Sequence, residues 1–275
     1  MRSLLIALAC QVVPLAASAQ GVVVSPHAVF IDHRTRSGWV QLYNPTYEPS
    51  EVAIDALFGF PVTDSLGRMD LRIIDAPDTT WPSAVRWISA FPRRVVVPPQ
   101  TRQTVRLLVN PPPGLADGEY WARLVITARG GTAPVSGADS ARGITVGLNL
   151  EVRTIIPLLY RKGAPTTGLT LSNLRSEIGD DSIQVRARLK RNGSAAFLGT
   201  IRATLAAEDG SETGRFEQPI SVYYDIDPVF ALPRNGLPPG RYRLTFEVVS
   251  ERSDLAAELV LPAPVARDTI SILIK

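Results

Sequence analysis

From Arg142 to Arg161 the chain reads RGITVGLNLEVRTIIPLLYR. Apolar side chains fall on alternate positions, Ile144, Val146, Leu148, Leu150 and Val152, with Thr145, Gly147, Asn149, Glu151 and Arg153 around them. A period of two belongs to a β-strand with one apolar and one polar face, and it excludes a helix, whose apolar stripe repeats every 3.6 residues. At ~3.3 Å per residue, Ile144 to Val152 spans roughly 30 Å, longer than a usual strand of about six residues. A Gly/Ser/Ala-rich segment (130–141) precedes it, and a Pro/Gly/Thr-rich segment, Arg161 to Gly168, follows. The stretch therefore reads as the last strand of one domain and the lead into the next. Two assignments are open for its apolar row: the core of its own domain, or a surface presented to a partner.

The rest of the chain has the same character. No segment shows a long helical period, and strand patterns recur at short spacing between turn residues. In the first part these are Val22 to Ile31, Gly38 to Tyr43, Glu51 to Phe60, Leu71 to Ile74, Val85 to Ser89, Val95 to Val97, Arg102 to Val109 and Glu119 to Arg129. Pro26 inside the first predicts an edge or a switch between sheets, because proline cannot donate to a ladder. The second part shows Leu169 to Asn173, Ile183 to Lys190, Leu198 to Ala206, Val222 to Ile226, Val229 to Leu232, Gly240 to Ser250, Leu255 to Leu261 and Asp268 to Ile274. Arg191-Asn192-Gly193 and Glu208-Asp209-Gly210 read as hairpin turns. A short echo links the halves: Leu115 to Tyr120 and Leu237 to Tyr242 both read L-x-x-G-x-Y before an alternating run. In immunoglobulin-like sandwiches a tyrosine at such a corner bonds back to the backbone. The expected fold is all-β, two tandem immunoglobulin-like sandwiches covering 20–160 and 161–275, hinged at Arg161 to Gly168.

Residues 1–19 read as a signal peptide, with Arg2, an apolar run from Leu4 to Val13 and a small-residue site at Ala17-Ser18-Ala19. The run is too short to span a bilayer, and no later stretch is long enough. Cys10 is the one cysteine, so cleavage after Ala19 leaves a chain without thiols or disulfides. The alternative, a lipoprotein with Cys10 lipidated, has Ala7 where a leucine-like residue is expected. Without Arg2 the chain carries 28 basic and 26 acidic side chains, interleaved in sign. No basic stripe of the kind that binds nucleic acid occurs.

Four stretches of the first domain, in order behind that leader, resemble the N-terminal domain of periplasmic pilus (fimbrial) chaperones, the PapD-like family. They are Ser25 to Asp32 (SPHAVFID), Gly38 to Pro45 (GWVQLYNP), Pro92 to Leu107 with its PPQTRQTVR passage, and Ile156 to Arg161 (IPLLYR). The resemblance covers roughly Val22 to Arg161. It implies a periplasmic chaperone that binds pilus-like subunits by lending its last strand to their incomplete sandwich, a form of β-augmentation. It places Leu148, Leu150 and Val152 at the donor positions, extended by Ile144 and Val146. It implies pilus-type subunits as partners, with an outer-membrane usher as a further one. It also implies two cations that anchor a subunit's terminal carboxylate. Their positions here hold His27 or Ala28 and Pro157, which leaves His27 and the neighbouring Arg153 as the candidate anchor.

Catalytic patterns are missing. His27 and His33 are the only histidines, without the spacing of a metal site. There is no G-x-S-x-G elbow and no P-loop. Asp225 and Asp227 share one strand face and Asp180-Asp181 lie in a loop, where carboxylates without a framed cleft are solvated. The reading is a binding protein with no cofactor, no metal and no enzymatic activity. The runner-up is a secreted immunoglobulin-like structural or adhesion protein that assembles by strand addition.

Overall fold

The computed structural model describes residues 21–133, 148–234 and 236–275. The chain is all-β and forms two tandem sandwiches. In the first, β1 (Val23–Ser25), β3 (Ser37–Tyr43), β8 (Arg102–Val109) and β6 (Ile88–Phe91) form one sheet in the order β1-β3-β8-β6. The facing sheet runs β2-β10-β9-β4-β5, built from β2 (Val29–Asp32), β10 (Leu148–Lys162), β9 (Gly118–Ala133), β4 (Ser50–Thr63) and β5 (Met69–Ile74), with β7 (Arg94–Val97) also paired to β4. The alternating residues meet between the sheets. Val40 and Leu42, Val105 and Leu107, Val52 and Ile54, and Leu124 and Ile126 are all at most 2% exposed in one core. Pro26 lies where the chain leaves β1 in one sheet for β2 in the other, as its missing donor requires.

The second sandwich pairs a sheet of β11 (Thr167–Ile178), β12 (Ser182–Gly193) and β15 (Val229–Pro233) with a sheet in the order β14-β13-β16-β17. Those four are β13 (Phe197–Ala207), β14 (Glu212–Val222), β16 (Gly240–Val249) and β17 (Ala266–Ile274). Both corner tyrosines bond back as their shared pattern predicts. Tyr120 donates to Ala116 O at 3.0 Å and Tyr242 to Pro238 O at 2.8 Å. The turn at Glu208 to Gly210 joins the paired strands β13 and β14.

Four local expectations are corrected, one of them the strand expected at Val222 to Ile226: β14 (Glu212–Val222) ends at Val222, and beyond it only Ile226 makes an isolated bridge, to Leu189. Arg191-Asn192-Gly193 is no hairpin turn: β12 stays paired to β11 as far as Gly193, opposite Thr167, and the next strand lies in the other sheet. A turn composition marks a change of direction but not which sheet receives the chain. Val85 to Trp87 is a single 3-10 turn ahead of β6, and Ala257 to Leu259 is another, where strands were expected. Both are short apolar runs, whose period is ambiguous over so few residues.

Residues 163–166 connect β10 to β11, and a third apolar cluster bridges the sandwiches. Phe58, Phe60, Trp121 and Leu159 from the first pack with Ala196, Leu198 and Tyr223 from the second. Trp121 meets Tyr223 at 4.8 Å between ring centroids, and Phe60 meets Tyr224 at 4.5 Å. Glu119 lies buried beside them. Its Oε1 accepts from Trp121 Nε1 (2.8 Å) and from the backbone N–H of Ala196 (3.0 Å), and its Oε2 from Arg161 Nε (2.7 Å).

Candidate functional site

β10 is 15 residues long, and its two edges differ. One edge pairs antiparallel with β9 along the whole strand. The other pairs, parallel, with β2 from Leu158 to Arg161 alone. From Leu148 to Pro157 that outer edge has no strand partner among the described residues. Such an edge presents a row of N–H and C=O groups to any chain that can lie alongside.

The alternating row grades along the strand. Tyr160 and Leu158 are fully buried and Ile156 is 5% exposed, all in the first sandwich's core. Val152 is half-buried, covered by Gly21, where an added Cβ would lie 3.1 Å from Val152 Cγ1. Leu150 is 37% exposed. It sits at a bulge, since Asn149 pairs with Thr132 but Glu151 with Arg129. Gly130, at φ +140°, forms that bulge where a Cβ would press to 2.7 Å from Pro49 O, so only glycine fits. Leu148 opens the strand opposite Ala133. Ile144 and Val146, the other two donor positions expected from the sequence, lie outside the described residues. The row thus serves as core at its C-terminal end and opens to solvent toward its N-terminal end.

The opposite face of β10 carries Glu151, Arg153 and Ile155. Glu151 accepts from Arg129 and Arg153 at 2.7 Å each, and these bonds hold its carboxyl below the usual range. Arg153 is therefore engaged, 65% exposed, and lines a surface groove with Arg94 and Arg129. His27 is exposed and lines a different cavity, between the sandwiches. The structure does not bring the two candidate anchors together.

The inter-sandwich cavity, about 240 Å³, holds a cation that the sequence reading passed over. Arg123 on β9 sits directly opposite Pro157 of β10 in the ladder and is 8% exposed. Its Nε donates to Gly59 O at 3.0 Å, and its guanidinium lies 5.0 Å from the Tyr223 ring centroid. Its Nη2 is buried without a partner among the described residues. Arg252 lines the same cavity, but both its Nε and Nη2 are spent on Asp254, at 2.7 and 2.5 Å, which holds that carboxyl low. A guanidinium beside a cavity is of the chemistry that suits a carboxylate. The signal for Arg123 was present in the sequence: it is the only charge in the apolar run Tyr120 to Ile126, and a charge there must find a partner. Alternation alone makes it a routine outward residue, because the second sandwich that buries it is distant in sequence.

Asp225 and Asp227 both face Arg188, at 3.5 and 3.4 Å, and frame no cleft. Among the described residues no group of three potential metal ligands occurs, and no helix is long and apolar enough to cross a membrane.

No protein-family model matches the chain, and no curated protein matches it. Solved structures do. The Salmonella enterica SafB chaperone, in complex with the SafA pilin, is similar over 91% of this chain and 96% of its own, at 14% identity and a TM-score of 0.46. The Pseudomonas aeruginosa CupB2 chaperone is similar over 92% of this chain and 100% of its own, at 12% identity and a TM-score of 0.41. The E. coli chaperone DraB is similar over 90% and 98%, at 12% identity and a TM-score of 0.40.

Proposed function

We propose that this protein is an exported, periplasmic chaperone for pilus-type subunits, a binding protein rather than an enzyme, and that it lends the outer edge of β10 to a subunit lacking a strand. One observation carries the reading: the unpartnered outer edge from Leu148 to Pro157 coincides with the part of the apolar row that is left open, at Leu150 and Val152. A client strand laid on that edge gains main-chain hydrogen bonds and covers those side chains. Each apolar side chain fully buried on binding contributes roughly 1.5–3 kcal/mol, discounted here for the part already covered. Pro157 has no N–H, so the ladder ends there. Arg123 stands opposite Pro157, one strand over from where the resemblance implies a cation. Arg123 is our candidate for the cation that receives a subunit's terminal carboxylate, with His27 lining the same cavity.

The test is co-expression in a bacterial periplasm with pilus-type subunits that lack their last strand, with capture measured on the purified chain. Amide exchange should slow at 151–156 on capture. Leu150→Glu should abolish capture, and Arg123→Met should weaken it about tenfold to a hundredfold, the worth of a charge-assisted hydrogen bond. Capture untouched by Leu150→Glu would overturn strand donation. Self-association through the same edge, without subunit capture, would favour the structural or adhesion reading instead.

A further inference from the structure

We infer that the β4–β5 hairpin is a strap that holds the two sandwiches at one angle and so sets the opening of the cleft over Arg123. β4 begins as an ordinary member of the first sandwich, with Val52 and Ile54 in its core. Beyond Leu57 it leaves β9 and pairs with β5, and Phe58 and Phe60 turn into the inter-sandwich cluster. The hairpin tip then docks on the second sandwich at three points. Thr63 Oγ1 accepts the N–H of Asp227 at 2.9 Å, Gly67 O accepts the N–H of Val229 at 2.9 Å, and Leu66 O accepts from Arg186 Nη2 at 3.4 Å.

The tip is shaped for this docking. Asp64 closes the turn by accepting from the backbone N–H groups of Leu66 and Arg68, both at 2.9 Å, and from Arg68 Nε at 2.8 Å. Gly67 is buried, at φ +79°. A Cβ there would run into the Val229 side chain and lie 2.9 Å from Asp227 O. The same hairpin supplies Pro61 and Leu71 to one wall of a cavity of about 500 Å³ that Arg123 also lines, facing Pro219 and Ile220 on β14. Through Pro61 the hairpin also lines the cavity of about 240 Å³ that holds Arg123, so the strap borders both spaces between the sandwiches. The inference builds on the cleft as a site but not on which molecule occupies it.

The test needs no client. Cys10 is the only cysteine, so in a Cys10→Ser background spin labels can be placed at Thr104→Cys and Ser271→Cys, exposed positions on opposite sandwiches. The expected label–label distance is narrow in this background and shifts to a longer, broader distribution with Gly67→Val. Gly210→Val is the control: Gly210 is also a hairpin glycine, at φ +87°, but it has open space around it, so strain there should leave the distance unchanged. If Gly67→Val does not fold, Thr63→Val with Arg186→Ala removes two of the three docking bonds and should give the same broadening. Distributions that superimpose on the parent in the strap variants would overturn the inference, as would equal broadening in Gly210→Val.

Discussion

Glu119 is the residue on which the junction turns. Its side chain is fully buried, and three donors converge on it: an indole, a backbone amide of the second sandwich and the guanidinium of Arg161. Replacing both charged partners by apolar groups need not be costly, but removing one leaves the other buried and uncompensated. Glu119→Ala should lower stability by about 3–5 kcal/mol, measured by denaturant unfolding, and Glu119→Gln by less, since an amide oxygen can still accept. Arg161 belongs to a motif visible in the sequence, whereas Glu119 looks like one more polar residue of a strand. Only the approach of the second sandwich gives Glu119 its importance, as it does for Arg123.

At the scale of the strand, β10 has two environments. Its period was readable from Ile144 onward, and among the described side chains Ile156, Leu158 and Tyr160 take the core side of that period. What the period could not assign was cover. The facing sheet reaches Ile156, Leu158 and Tyr160 and thins out at Val152, where Gly21 is the neighbour. Leu158→Glu should therefore cost the free protein several kcal/mol by burying an unpaired charge, while Leu150→Glu should stay within about 0.5–1 kcal/mol of the parent. Thermal unfolding of the two variants decides it. Equal losses would mean that the whole row is core, and strand donation would lose its physical basis. The corner tyrosines are the converse case, local enough to be read in full: the L-x-x-G-x-Y spacing alone brings each hydroxyl back to the carbonyl four residues earlier.

For the whole molecule, burial of phenols sets a limit at high pH. Burial raises Tyr160, Tyr223 and Tyr224 above the ordinary tyrosine value, and it raises Tyr120 with the help of Asp117. The neutral form is thus favoured in the folded state. The stability linked to these groups is fully present below the unfolded value of about 10 and is lost as pH rises through the higher folded values. Tyr223 and Tyr224 lie at the junction, so the packing between the sandwiches is among the contacts that alkaline pH weakens. Phenolate absorbance and far-ultraviolet dichroism followed together from about pH 9 to about pH 12 test this. Part of the phenolate signal should appear only as the β-sheet signal falls. Complete phenolate formation with the sheet signal intact would contradict it.

Alternation and turn residues, read without any structure, were sufficient for an all-β chain, two sandwiches, a break at Pro26 that is either an edge or a switch, and the corner tyrosines. These follow from contacts between residues close in sequence or from a period that every strand repeats. Sheet assignment at Gly193, the partial cover of Leu150, the burial of Glu119 and Arg123 and the docking of the β4–β5 tip depend on segments distant in sequence meeting in space, from Thr167 opposite Gly193 to Thr63 against Asp227. A one-dimensional period says which way a side chain points, but it carries no information on what another part of the chain brings to meet it. The tertiary structure decided those contacts.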